Sequence, residues 1–272
     1  MKVVIVGYGW LGRQLAPILQ SAGHHVFVTK RNREQLVDLP TGIKGLALSL
    51  GENNTPAPDV LAAMHNAMVI CAVTPGRRSP AACYESALTE LAILLKQAGA
   101  SGVIHFSSSG IYDGLKGDVD ESAELNECSE RAQKLLAGER AIQQAPCCIT
   151  LRLAGLIGPG RHPGHFVAGK ALNEPEAPVN MVHSEDIIAA VSLLLEQDVL
   201  SGNIFNLNCP DVVSRRVFYT QAVQDINADI IFSSENLAGD ASGRRVNPNK
   251  FIQAYGYHYR FKSACDALQH CD

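Results

Sequence analysis

No stretch of this sequence approaches the roughly 18 uninterrupted apolar residues of a membrane span, so no membrane partner of that kind is expected. Charge is sparse as well: Asp, Glu, Lys and Arg make up 18% of the 272 residues, and the formal net charge is −4. The basic residues are scattered, apart from short clusters such as Lys30-Arg31, Arg77-Arg78 and Arg244-Arg245. That balance gives no electrostatic case for nucleic acid as a partner. Pairs so short serve as solvated surface or as local phosphate contacts.

The eight cysteines, Cys71, Cys83, Cys128, Cys147, Cys148, Cys209, Cys265 and Cys271, contain no CxxC pair and no Cys/His ligand spacing. Several lie in apolar runs, where a free thiol behaves as a small hydrophobe. Reduced thiols in a cytoplasmic protein are the expectation. His162-Pro163-Gly164-His165 lacks a neighbouring acid or cysteine set, so it is read as loop lining a cleft, and no metal is expected. At the start, Val3 to Val6 is too short for the apolar core of a signal peptide, about 7–15 residues, and breaks at Gly7.

What is present is alternation. Short β-branched runs (2–6, 25–30, 45–48, 67–73, 103–107, 149–153 and 203–207) alternate with helical stretches (10–22, 32–39, 80–98, 129–144, 184–196 and 214–226). Segments 53–59, 114–127 and 158–178 read as loops. The pattern predicts an α/β fold of the Rossmann type: a doubly wound parallel sheet covered by helices, with a small C-terminal lobe. The expected division is 1–157 for nucleotide binding and 158–272 for a substrate lobe interleaved with the main sheet.

Val3-Val4-Ile5-Val6-Gly7-Tyr8-Gly9-Trp10-Leu11-Gly12 runs from strand through GxGxxG into helix. Gly7 permits the tight turn, Gly9 lets backbone approach a pyrophosphate, and Gly12 lets helix and strand pack closely. The helix N-terminus favours phosphate. Gly7 to Gly12, including Tyr8, Trp10 and Leu11, are therefore candidate cofactor-binding residues, with Ala72, Val73 and Ser107 at the ends of later strands. NAD enzymes place an acid at the end of the second strand, on the ribose. Here Thr29-Lys30-Arg31-Asn32 offers cations suited to a 2′-phosphate, so NADP is expected, with NAD the alternative.

His105-Phe106-Ser107-Ser108-Ser109-Gly110-Ile111-Tyr112 resembles the serine strand of the extended short-chain dehydrogenases/reductases, the NAD-dependent epimerase/dehydratase family. Gly138-Glu139-Arg140, residues 151–161, 179–186 and 203–207 resemble further motifs of that family, in the same order. The glycine spacing is one residue shorter than the family's usual GxxGxxG. The family's catalytic Tyr-x-x-x-Lys pair is missing: counting back from Glu139, its places fall on Arg131 and Leu135, with Lys134 about 100° round the helix. The resemblance is therefore to an atypical subgroup that keeps the serine and lacks YxxxK.

It implies that Ser109 orients a substrate oxygen. A neutral hydroxyl is a poor base near neutral pH, which makes Tyr112, Arg131 and His183 the further catalytic candidates. Tyr112 is the nearest phenol, His183 has a suitable intrinsic pKa, and Arg131 can stabilise an oxyanion but cannot take a proton. Arg152, a cation inside a strand, must find a partner. The implied function is an NAD(P)-binding oxidoreductase or epimerase-like enzyme acting on a hydroxyl or keto group of a small molecule, such as a sugar nucleotide, as a monomer or homodimer. The rival is a catalytically inactive NADP-binding redox sensor.

Overall fold

The computed structural model describes residues 1–52, 55–76, 80–125, 129–197, 202–232 and 243–271. Cys128 and the Arg77-Arg78 pair lie outside the described residues. Seven strands form one sheet: β1 (Lys2–Val6), β2 (His25–Lys30), β3 (Lys44–Ala47), β4 (Ala67–Cys71), β5 (Gly102–Ser108), β6 (Cys148–Leu153) and β7 (Ile204–Leu207). Their order is β7-β6-β5-β4-β1-β2-β3, and the pairings from β3 through β5 are parallel. Strand β1 has a parallel neighbour on each side, and Val3 to Val6 are buried. A strand covered on both faces has no use for alternating polar residues, which is why it reads as a continuous apolar run.

Register sets the functional edge. Val6 pairs with Thr29 on β2 and with Cys71 on β4, so these three strands end level. Gly7, Lys30 and Ala72 follow directly and share one rim. Crevices outside the carboxyl ends of parallel strands are where ligands bind in such sheets.

Four helices accompany the first five strands and the approach to β6: α1 (Trp10–Ser21), α2 (Pro58–Met64), α3 (Ala81–Ala98) and α4 (Glu130–Ile142). The apolar layer between α2, α3 and the sheet includes Met64, Val69, Leu88, Leu91, Leu95 and Val103. Of the loop expected over 53–59, residues 55–57 are irregular, while Pro58 and Asp59 open helix α2, where the missing proline N–H costs nothing. The helix expected over 32–39 shrinks to a single turn of 3₁₀ helix, Arg33–Gln35. Asn32 makes no side-chain cap there, and Asp38 takes a φ of +56°, which ends helical geometry.

The chain divides into two compact units. One comprises residues 1–111, 127–152 and 191–204; the other comprises 112–126, 153–190 and 205–272. The second unit is held by short pairings distant in sequence: Gly117–Val119 with Arg244–Val246, Gly155–Ile157 with Met181–His183, and Pro178–Val179 with Val213–Ser214. The loops expected at 114–127 and 158–178 supply some of these strands, and a one-turn helix at Gly164–Val167. Helix α5 (Ser184–Leu195) starts in this unit, followed by α6 (Arg215–Asp225), α7 (Asn249–Tyr255) and α8 (Ala264–Leu268). Ser214 caps α6, and Ser263 with Asp266 forms a capping box on α8.

A buried carboxylate organises the end of the second unit. Asp186 accepts the Arg260 N–H at 2.7 Å and the Phe261 N–H at 3.4 Å, and the Tyr257 hydroxyl donates to its backbone carbonyl at 2.8 Å. Burial pushes its carboxyl above the usual range while these donors pull the other way. Among the described residues no helix is long and apolar enough to cross a membrane. Cys71, Cys148 and Cys209 are free and buried, and burial pushes their thiols up to about 12, 11 and 12. Thiols so rarely ionised act as small apolar side chains.

Candidate functional site

The glycine loop follows β1 and precedes α1. Gly7 has a φ of +106°, and a Cβ there would lie 2.9 Å from the Ala72 carbonyl oxygen. A side chain is excluded twice, by conformation and by space. A Cβ on Gly12 would sit 2.7 Å from the Gly7 carbonyl oxygen, so helix and turn pack backbone against backbone. Gly9 differs, with nothing within 4 Å of its absent side chain. The loop is thus closed on the protein side at Gly7 and Gly12 and open at Gly9. No side chain caps α1, and its first turn carries no acid. That leaves the partial positive charge of the helix end available to an anion.

Thr29 braces this loop. Its hydroxyl accepts the Gly7 N–H at 3.3 Å, and its carbonyl accepts the Tyr8 N–H at 3.1 Å. Tyr8 is buried beneath the Arg13 guanidinium, which stands 5.3 Å from its ring centre. Trp10 and Leu11 open α1. Beyond Thr29, the side chains of Lys30 and Arg31 have no ion-pair partner among the described residues, whereas Arg33 pairs with Asp59 at 3.3 Å. On β4, Ala72 closes the ladder by donating its N–H to the Val6 carbonyl at 2.8 Å, and Val73 follows it.

Beneath the serine strand lies a polar cluster that the sequence reading only half saw. Arg152 on β6 finds its partner in Glu139 on α4: Nη2 donates to Oε2 at 2.8 Å and Nε to Oε1 at 3.1 Å, with both side chains at most 4% exposed. The Ser107 hydroxyl donates to the same carboxylate at 2.5 Å. The hydroxyl of Ser107, a cofactor-binding candidate, is thus committed to the Glu139 carboxylate. A fork against a carboxylate with a third donor is how a buried ion pair offsets its desolvation.

His105, two residues earlier, is fully buried, with Nε2 3.2 Å from the Tyr84 hydroxyl and no partner for Nδ1. Burial pushes its pKa down to about 4, against a smaller upward pull from Glu139. The imidazole is therefore neutral in the fold. As pH falls from 6.5 towards 4, the unfolded chain takes up a proton that the native state refuses, and stability drops. Above 6.5 the contribution is complete, and below 4 the loss levels off. The expected loss is up to about 3 kcal/mol, read from urea midpoints across that range. His105→Gln should flatten the slope there; an unchanged slope would mean His105 is not its source.

Just past the strand, Ser109 opens a 3₁₀ turn over Ser109–Tyr112, with a buried side chain whose hydroxyl has no hydrogen-bond partner among the described residues. Gly110 comes next. A Cβ there would fall 2.5–2.9 Å from the Nε, Cζ and Nη2 of Arg131, so the guanidinium lies directly on the Gly110 backbone. Arg131 and Ser109 are thus brought to the same strand end. Leu135, at the family's lysine place, is buried, and the Lys134 ammonium reaches the Gly76 carbonyl at 3.4 Å.

The other two catalytic candidates are taken up by structure. Tyr112 is fully buried, and its hydroxyl donates to the Asn206 side chain at 2.9 Å. His183 is buried against Phe261; Nδ1 accepts the Glu185 N–H at 3.2 Å, and Nε2 lies 3.0 Å from the His270 carbonyl. That pattern fixes one neutral tautomer, and burial holds the ring below the usual histidine range. His162 accepts the Gly164 N–H and lies 3.8 Å from Asp225.

Comparison with known proteins agrees with this architecture. Protein YeeZ of Escherichia coli strain K12 is 32% identical over 265 residues, covering 96% of each chain. Among solved structures, Bordetella bronchiseptica WbmG in complex with NAD and UDP superposes with a TM-score of 0.77 at 16% identity, over 100% of this chain and 93% of that one. UDP-glucuronic acid 4-epimerase from Bacillus cereus, in complex with NAD, gives 0.76 at 17% identity, over 99% and 97%. The model of the NAD dependent epimerase/dehydratase family matches residues 3–207, from the first strand through the glycine loop and serine strand to β7. The chain belongs to the NAD dependent epimerase/dehydratase family.

Proposed function

We propose that this protein binds NADP through the Gly7–Gly12 loop and acts on a hydroxyl or keto group of a small molecule, of the sugar-nucleotide kind or a related metabolite. The observation that carries the reading is the loop's one-sided packing: backbone contact at Gly7 and Gly12, open space at Gly9, and an uncapped helix end beside it. Such a loop would hold a pyrophosphate, and Lys30 with Arg31 would pair a 2′-phosphate. The WbmG and Bacillus cereus structures contain NAD, which supports a nicotinamide cofactor here. When bound, the nicotinamide would supply hydride chemistry. Ser109 would contact the substrate through its hydroxyl, which has no hydrogen-bond partner among the described residues.

The test is a fluorescence titration with NADPH and NADH. Arg31→Glu should weaken NADPH binding by about 10–100-fold, the worth of a charged hydrogen bond, and leave NADH within a few-fold. Unchanged NADPH affinity would remove the NADP assignment.

A second reading has its own observation. Arg131 and Leu135 occupy the places of the tyrosine and lysine, and the Tyr112 hydroxyl is committed to Asn206. On that reading the protein is an NADP-binding redox sensor without turnover. Selective NADPH binding, with no change of nicotinamide absorbance or product isomers across carbonyl and sugar-nucleotide panels, would favour it.

A further inference from the structure

We propose that Ser109 and Arg131 form a receptor for a substrate carboxylate, so that the molecule this enzyme takes is a carboxylic acid, such as a keto or hydroxy acid or an acidic sugar. The inference rests on the enzyme reading above and names its substrate class. Three observations converge at the end of β5. Arg131 makes no ion pair or hydrogen bond among the described residues, although a guanidinium is permanently charged and carries five donors. Its exposed guanidinium lies over the Gly110 backbone, with Nε, Cζ and Nη2 2.5–2.9 Å from where a Cβ on Gly110 would stand. The buried Ser109 beside Gly110 offers a hydroxyl with no hydrogen-bond partner among the described residues.

A guanidinium and a neutral hydroxyl include no effective base to remove a proton; they are suited to hold a negative charge. Two nearby backbone donors are already used: the Gly110 N–H goes to the Ser108 hydroxyl at 3.1 Å, and the Ala132 N–H to the Ser129 hydroxyl at 3.1 Å. The side chains there offer one fork and one hydroxyl. That set matches the two coplanar oxygens of a carboxylate, whereas a phosphate has three oxygens to satisfy and a higher charge. Lys134, one turn along the same helix face, adds positive potential while bonded to Gly76. Glu130, the acid in that first turn, points about 100° away round the helix.

The experiment is calorimetric titration of NADPH-saturated protein with oxalate, and separately with inorganic phosphate. Oxalate should bind. Arg131→Gln should weaken it at least tenfold, and Arg131→Lys should retain part of the affinity, because an ammonium cannot span two oxygens. Gly110→Ala should also weaken it, by lifting the guanidinium from its seat without removing charge. Arg216→Gln, which breaks a pair with Glu176 elsewhere, should change nothing. NADPH affinity, measured on each variant, should stay within a few-fold of wild type. Oxalate binding that is undetectable in the parent protein, or equal in the parent and Arg131→Gln, would overturn the receptor. Phosphate binding as tight as oxalate would overturn the carboxylate assignment. If NADPH itself does not bind, the cofactor reading has failed, and the same titrations on the cofactor-free protein decide the receptor.

Discussion

Arg152→Ala should unfold at markedly lower urea, with about 3–5 kcal/mol of stability lost. The arginine supplies a bidentate fork to Glu139 in a layer where neither side chain is more than 4% exposed. Without it, the carboxylate keeps the Ser107 hydroxyl but loses its countercharge. An unpaired buried anion is among the costliest defects a core can carry. Removing both charges is a different experiment. Arg152→Met with Glu139→Leu should recover most of the loss, since an apolar pair of similar volume owes no desolvation. If Arg152→Ala melts within about 0.5 kcal/mol of the parent, the pair is not holding β6 to α4 as described.

Gly12→Val should weaken NADPH binding by at least about a hundredfold, some 2.7 kcal/mol. The first atom of the new side chain would lie 2.7 Å from the Gly7 carbonyl oxygen. Neither partner is a flexible side chain, so the turn and the helix must separate, and the phosphate cradle opens with them. Overpacking of this kind also costs about 1–3 kcal/mol in stability. Gly9→Ala is the informative contrast. Nothing in the protein lies within 4 Å of that position, so the variant should fold normally, and any lost affinity reports the approach of the ligand itself. Paired fluorescence titrations and urea melts separate the two effects. Undiminished NADPH binding by Gly12→Val would argue against this loop as the cradle.

The features legible in the sequence were those written in local chemistry. Continuous apolar runs marked the buried parallel strands, and GxGxxG between strand and helix marked the loop. Counting back from Glu139 put Arg131 at the place of the lost tyrosine, and the structure brings it to the serine strand's end. What stayed hidden needed partners far along the chain. Gly117–Val119 is a strand only because Arg244–Val246 lies beside it, and no local propensity announces that. The Glu139–Arg152 pair was half readable. On α4 the buried positions Ala132, Leu135, Glu139 and Ile142 recur at helical spacing with an acid among them. A carboxylate on an apolar stripe and a cation on an apolar strand each demand a counterion, and together they name each other. Residue type says nothing of tertiary commitments, so the sequence does not show that the Tyr112 hydroxyl is bonded to Asn206 or that both ring nitrogens of His183 have neighbours.

The alternation of the two compact units along the chain bears on synthesis at the ribosome. Segments 112–126 and 153–190 of the second unit emerge before residues 191–204 of the first, and residues 205–272 come last. Strand β6 is made long before its edge neighbour β7, and in the interval its outer hydrogen-bonding groups have no neighbouring strand. A nascent chain therefore leaves the outer edge of β6 unpaired until residue 207 has cleared the exit tunnel, the interval in which edge-to-edge pairing with another chain is least hindered.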